Sequence, residues 1–327
     1  MLKIPIKNVD YSLTRSPVNV IAGIKVPRVL NEETIEVSGK RRGELRRLNS
    51  ISRTFLESVN KLLNDLSFTD GDNTGLIVNT VYGPLKTNMQ FGDTLLKDGL
   101  KFSSPSVFAN TVSNSVLGHV AKFFNLKGYS TLLMGSNAIV YAIRLLKKCD
   151  GKDNLVVGGV DEVLDQVRAY STAHFGKDIF NEAVGSVFLG FEDTMPDLAY
   201  ITGYSESSLG YAPLYSDSAS IDVQKKFSQV IQKALKMSES KAGDITKVYL
   251  ASDSYLGLRE AELSAIQALF SEYTQMVALK DMVGETLAAS SFISLAVATS
   301  NLQGPDDKVV VLNLEASGSL SALVVSK

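Results

Sequence analysis

Groups that perform covalent or acid–base chemistry are scarce in this sequence. Cys149 is the only cysteine, and His119 and His174 are the only histidines. A lone thiol forms no internal disulfide. Cys149 follows Lys147 and Lys148 at the end of a helical pattern, where it reads as a small packed residue more than an activated thiolate. Two separated histidines do not have the spacing of a zinc site, so neither a metal nor a cofactor is expected. No phosphate-binding loop occurs. Ser317-Gly318-Ser319 imitates a nucleophile elbow with only one of its two glycines. Ser136 has a hydroxyl but no base near it in sequence. Lys280 stands by Asp281 and Glu285, an arrangement that makes a salt bridge as readily as a catalytic pair.

The charge balance is nearly even, with 33 basic and 35 acidic residues and a formal net charge of −2. The short run Lys40, Arg41, Arg42, Arg46 and Arg47 is interrupted by Glu44. It reads as a solvated or interface face, so no nucleic-acid partner is expected. Lys3 and Lys7 break up the apolar residues at the start, and no apolar run reaches the roughly 20 residues of a membrane span. Cytoplasmic localisation without membrane contact is the expectation.

The elements that must position any site follow from periodicity. Val18–Ile21, Gly75–Asn79, Leu155–Gly158, Val187–Gly190, Lys247–Ala251 and Val309–Leu314 read as short strands buried on both faces. Glu44–Leu66 carries Leu45, Leu48, Ile51, Phe55, Val59 and Leu63 on one helical stripe. Helices are also expected over Ser106–Phe124, Ala138–Lys148, Ile221–Met237, Glu260–Tyr273 and Thr286–Thr299, and a loop over Thr202–Ser220. The alternation predicts a mainly parallel, layered α/β fold. The order is roughly doubled, with halves at residues 1–195 and 196–327. Each half has one nearly all-apolar helix, Ala138–Leu146 and Thr286–Ala298, which predicts a buried helix layer between two sheets.

Five motifs in order carry a resemblance. Asn110-Thr111-Val112-Ser113-Asn114-Ser115-Val116-Leu117-Gly118-His119 resembles the stretch before the nucleophile in β-ketoacyl synthases. Leu126-Lys127-Gly128-Tyr129-Ser130 is similar to that family's Gly-Pro-Ser, with Tyr129 for the proline. Val157-Gly158-Gly159-Val160-Asp161-Glu162 resembles Gly-Gly-x-(Asp/Glu), Asn181-Glu182-Ala183-Val184-Gly185 resembles Gly-Glu-Gly-Ala, and Lys280-Asp281-Met282-Val283-Gly284-Glu285 resembles Lys-Ser-x-x-Gly-His. The resemblance implies a thiolase-like fold, a five-layered α-β-α-β-α sandwich of two similar halves.

Such enzymes use a cysteine thiolate and two histidines for decarboxylative condensation. Counted from Gly128, the nucleophile position falls near Asn137; counted back from Arg144, it falls earlier. The interval between Ser130 and Ala142 looks about one helical turn short, which predicts a trimmed elbow. Ala251 stands at the first histidine position and Glu285 at the second. The family's Gly-rich gate is replaced by Asn313-Leu314-Glu315-Ala316-Ser317-Gly318. No catalytic residue is therefore expected at these degenerate positions, and His119 and His174 read as packed or interface residues.

A framework without its chemistry resembles the chain-length factor of type II polyketide synthases. The resemblance implies a non-catalytic heterodimer partner of an active ketosynthase, closing its acyl tunnel and setting polyketide length, with an acyl carrier protein as a transient partner in antibiotic or pigment biosynthesis. It also implies that Phe108, Thr111 and Ser115 line the tunnel. Together with Val112 they fall at i, i+3, i+4 and i+7 of one expected helix face, a pattern dimer packing explains equally well. The alternatives are an atypical acyltransferase or malonyl decarboxylase using Ser136, Asn137 or Asp253, and a scaffold that binds the carrier protein.

Overall fold

The structure is a computed structural model. It describes residues 3–327 except 18, 20, 22–23, 25–27, 30–44, 46, 70, 150–152, 192–194, 215–221 and 253–256. Asp253, Glu44 and Ile221, and Lys40, Arg41, Arg42 and Arg46 of the basic run, lie outside the described residues.

The first strand, β1 (Ile4–Leu13), is one that periodicity alone passes over, because Lys7 and Asp10 interrupt its apolar residues. Lys7 is nonetheless buried: its Nζ donates to the Met195 carbonyl at 2.9 Å and pairs with Asp197 at 2.6 Å. A buried amine is tolerated only when so paired. The strand expected over Val18–Ile21 is absent at Asn19 and Ile21, while Val18 and Val20 lie outside the described residues. The chain continues through β2 (Arg28–Val29), α1 (Ser50–Asn64), β3 (Thr74–Thr80), α2 (Leu85–Asp98), α3 (Pro105–Ala109), α4 (Ser115–Phe124), β4 (Ser130–Met134), α5 (Ala138–Leu146), β5 (Asn154–Val160), α6 (Asp165–Phe175) and β6 (Ala183–Gly190). The second half comprises β7 (Ala199–Ser208), α7 (Val223–Met237), β8 (Ile245–Tyr249), α8 (Arg259–Gln267), β9 (Gln275–Val277), α9 (Leu279–Val283), α10 (Ser290–Ser300), β10 (Lys308–Leu314) and β11 (Ser319–Ser326).

The sheet runs β4-β3-β5-β6-β1-β7-β11-β10-β8-β9, with β2 added beside β1. With β2 set aside, each half has the same spatial order of its own strands: third, second, fourth, fifth, first. The halves meet where β1 and β7 pair antiparallel, Ile4 opposite Ile201. The expectation of a mainly parallel sheet needs correction. β3, β4 and β5 run parallel, as do β8, β9 and β10, but the fifth strand of each half reverses. In the second half the cause is local, because the four residues between β10 and β11 allow only a hairpin.

Three packed cores define the layers. α5 and α10 sit between the inner faces of both half-sheets, among Ile77, Val157, Val187, Tyr249, Val311 and Leu323. α1 and α4 cover the outside of the first half-sheet, and α7 and α8 the outside of the second. This is the five-layered sandwich. The family-like glycines permit its close approaches: a Cβ on Gly159 would lie 1.9 Å from the Ala288 carbonyl, and one on Gly158 would meet the Phe55 ring.

Two further expectations are corrected. Thr202–Ser208 is strand rather than loop. Its polar residues pair with β11, and Gly203 lies where a Cβ would meet the Ala234 carbonyl of α7 at 2.3 Å. Only residues 209–214 of that stretch are described as loop. The helix expected over Ser106–Phe124 is two helices, α3 and α4, separated by Asn110–Asn114. There the side chains bond the backbone in place of helix continuation: Thr111 Oγ1 donates to the Phe108 carbonyl at 2.7 Å, and Asn110 Nδ2 to the Ser106 carbonyl at 3.0 Å.

Candidate functional site

The inward-facing strand ends and the starts of α5 and α10 converge on one polar region. β4 passes into α5 through Gly135-Ser136-Asn137, with Gly135 at φ +55°. The strand, turn and helix are continuous here. Asn137 caps α5: its Oδ1 accepts from the Val140 amide at 3.3 Å, while its Nδ2 is buried without a partner. The Ser136 hydroxyl donates to the Met134 carbonyl at 3.3 Å. Among the described residues no base meets it.

Glu285, expected from the sequence at the second histidine position, belongs to a buried ion pair. Lys280 Nζ lies 2.6 Å from Glu285 Oε2. Glu285 Oε1 accepts from the Leu287 amide at 2.8 Å and from Ser290 Oγ at 3.1 Å. Lys280 thus pairs with Glu285, while Asp281 is taken by the Arg259 guanidinium at 3.0 and 3.1 Å. Gly284 at φ +81° and Leu287 at φ +52° bracket the pair, backbone in a region that L side chains rarely adopt.

Ala251, expected from the sequence at the first histidine position, is buried in the outer core of the second half-sheet. Buried Glu262 ties down the chain there, accepting from the Ala251 amide at 2.6 Å, the Ser252 amide at 3.1 Å and the Ser252 hydroxyl. Burial pushes the Glu262 carboxyl above the usual range. Arg259 joins this strand end to α9 by donating to the Ser252 carbonyl at 2.6 Å.

Two residues connect these parts: Asn79, which motif reading passes over, and Glu315, which lies in the segment that stands for the Gly-rich gate. Asn79, at the end of β3, accepts from the Ser136 amide at 3.3 Å and donates to Glu315 Oε2 at 3.4 Å. Glu315, on the β10–β11 turn, is buried beside Lys280 and Glu285. Burial pushes its carboxyl up to about 8, so at neutral pH it mainly holds its proton. The turn leans on the elbow, with the Ser317 amide donating to the Gly135 carbonyl at 3.3 Å. Ser317-Gly318-Ser319 is thus a hairpin turn and not a nucleophile elbow. Asn313 is buried with neither amide atom bonded. Asp161, from the Gly-Gly motif, accepts from Thr80 Oγ1 and from the amides of Val81, Tyr82 and Ala288, a staple between β3, β5 and the start of α10. Burial still pushes it up to about 6.

The remaining candidates lie elsewhere. His119 Nδ1 is 3.0 Å from Ser52 Oγ in the outer layer, and burial lowers its pKa. His174 stacks on Tyr170 with ring centroids 5.5 Å apart. Phe108, Thr111, Val112 and Ser115 do not share a helix face, because the break at Asn110–Asn114 divides them. Phe108 is 59% exposed on α3 and contacts Phe91, Val112 is exposed in the turn, and Ser115 is buried at the start of α4. Nearby stand Leu96, Leu100 and Phe102, exposed by 87%, 79% and 73%. Among the described residues no helix is long and apolar enough to cross a membrane.

Residues 198–305 match the model of the β-ketoacyl synthase C-terminal domain. No curated protein sequence matches the chain significantly. Among solved structures it is similar to the ishigamide ketosynthase/chain length factor, with TM-score 0.78 and 17% identity over 99% of each chain. It is also similar to a β-ketoacyl synthase from Burkholderia phymatum STM815, with TM-score 0.74 and 15% identity over the whole of both chains. A third is the AntDE:AntF complex, a type II polyketide synthase acyl-carrier protein with its ketosynthase bound to the hexaketide: TM-score 0.74 and 12% identity over 99% of each chain. At these identities the structures establish the fold.

Proposed function

We propose that this chain, whose residues 198–305 match the β-ketoacyl synthase C-terminal domain and whose fold is similar to that of ketosynthases, is a non-catalytic member of that family. It pairs with an active ketosynthase, closes that partner's acyl tunnel and limits polyketide chain length, as a chain-length factor does. The observation that carries the reading is the state of the three reactive positions. Asn137 caps a helix, Ala251 is packed, and Glu285 is neutralised by Lys280. None of them is a thiol or an imidazole, so these positions supply neither the thiolate nor the histidine donors that decarboxylative condensation uses. The framework around them is complete, with halves taken as residues 1–195 and 196–327.

The surface supports the same reading. Leu96, Leu100, Phe102, Phe108 and Val112 crowd one segment, and β4 is a sheet edge with Met134 exposed. An exposed apolar group beside an unpaired strand is what an obligate partner covers. Phe108 is the side chain we assign to the partner's tunnel end, with Thr111, Val112 and Ser115 at the interface around it. Chain length then follows from volume: a smaller residue at 108 leaves room for a longer product. An acyl carrier protein would deliver substrate to the partner.

The test is co-expression with candidate ketosynthases. A complex with one ketosynthase per copy of this chain is expected, with longer products from Phe108→Ala. A stable solitary monomer that binds no ketosynthase, or turnover of malonyl-carrier protein by the purified chain alone, would overturn the reading.

A further inference from the structure

The Lys280–Glu285 pair is almost cut off from solvent, at 8% and 5% exposed, and Pro213 and Leu214 lie beside it. They line a narrow, partly open cleft with room of about 10 Å³, together with Lys280, Glu285, Leu314, Glu315 and Ala316. That volume is near the minimum for a single water molecule. A malonyl group on a pantetheine arm needs many times more. Leu214 is 3% exposed and packs against Val163, Ile179, Phe180 and Leu287. Val163 follows β5, Ile179 and Phe180 precede β6, and Leu287 precedes α10, so the cluster spans the mouth of the strand ends. The Tyr170 hydroxyl of α6 donates to the Leu214 carbonyl at 3.2 Å and clasps the loop from the outside.

We infer that Leu214 is a plug: it seals the remnant site against thioester substrates, with Tyr170 holding it in place. This deepens the proposed function, since a sealed site excludes a residual decarboxylase role for Lys280, Glu285 or Glu315. It adds a second barrier to catalysis, independent of the missing cysteine and histidines. Restoring those residues alone would leave the chain unable to admit substrate.

Thiol accessibility tests the plug. In full-length chain, Cys149→Ser removes the native thiol and Glu315→Cys places one inside the cavity. With Leu214 present, iodoacetamide should label that thiol at least 100-fold more slowly than in urea. Leu214→Ala should accelerate labelling at least tenfold in protein whose near-ultraviolet circular dichroism shows it folded. Tyr170→Phe removes only the clasp and should accelerate it several-fold; should Leu214→Ala not fold, this variant decides. Rapid labelling with Leu214 in place, or no acceleration in the folded variants, overturns the inference. No ketosynthase takes part, so a failure here is distinct from a failure of the subunit reading.

Discussion

Two regions of this molecule invert the usual distribution of side chains. At the remnant site Lys280, Glu285, Glu315, Asn79, Asn137 and Asn313 are buried. On the segment from α2 to the turn before α4, Leu96, Leu100, Phe102, Phe108 and Val112 are exposed. Burying charge costs free energy unless it is paired, and exposing several large apolar groups together leaves a surface that favours association. A condensing enzyme would use the interior. Here Lys280 pairs with Glu285 and Asn79 bonds Glu315, while large apolar side chains lie outside. The difference teaches that buried polar groups and exposed apolar groups can be segregated to separate regions of one chain.

The comparison can be broken most severely at the ion pair. Lys280→Ala leaves Glu285 buried beside Glu315 without its cation and should destabilise the fold by about 3–5 kcal/mol. Combining Lys280→Met with Glu285→Leu should recover most of that loss, because no lone charge remains. Thermal unfolding of the two variants measures both; equal loss would mean the pair itself is not what matters.

Glu315 gives a smaller, pH-dependent effect. Its folded pKa, about 8, lies above the ordinary value of 4.5. The group therefore stabilises the fold fully below pH 4.5, and that contribution is lost as the pH rises through about 8. Stability should decline by a few kcal/mol across that window, and Glu315→Gln should flatten the decline. Denaturant titrations at pH 5 and pH 8.5 would show it; parallel curves for both proteins would sink the assignment.

At the exposed segment the effect on folding should be smallest. Leu100→Ser with Phe102→Ser should change stability by no more than about 0.5 kcal/mol. The same pair should abolish binding to the ketosynthase partner in a pull-down. A large loss of stability would show the segment packing within the chain, and unchanged binding would remove it from the interface.

Much of this was readable from the residues. The apolar runs over Gly75–Asn79, Leu155–Gly158 and Val309–Leu314 announced strands because burial on both faces leaves a continuous Val, Ile and Leu signature. The buried helices Ala138–Leu146 and Ser290–Ser300 announced themselves in the same way. β1 did not, because Lys7 finds its partners Met195 and Asp197 far along the chain. Nor did β7, whose Ser, Tyr and Gly residues read as loop until β11 and α7 are brought beside it. The single helix expected through Phe108 and Ser115 failed because Asn110 and Thr111 satisfy the backbone with their own side chains. Asn79 carries no local mark of its place in the site, and the gate-like segment around Glu315 does not announce that Glu315 is buried beside Lys280.

By itself, then, the sequence determined the layered α/β class and the doubled order, since the spacing of its apolar runs records these directly. Only the tertiary structure decided that Lys280 chooses Glu285, that Glu315 keeps its proton, and that Leu214 covers them both. Pairing, desolvation and closure depend on which distant residues meet, and that is settled by the packing of two half-sheets around α5 and α10.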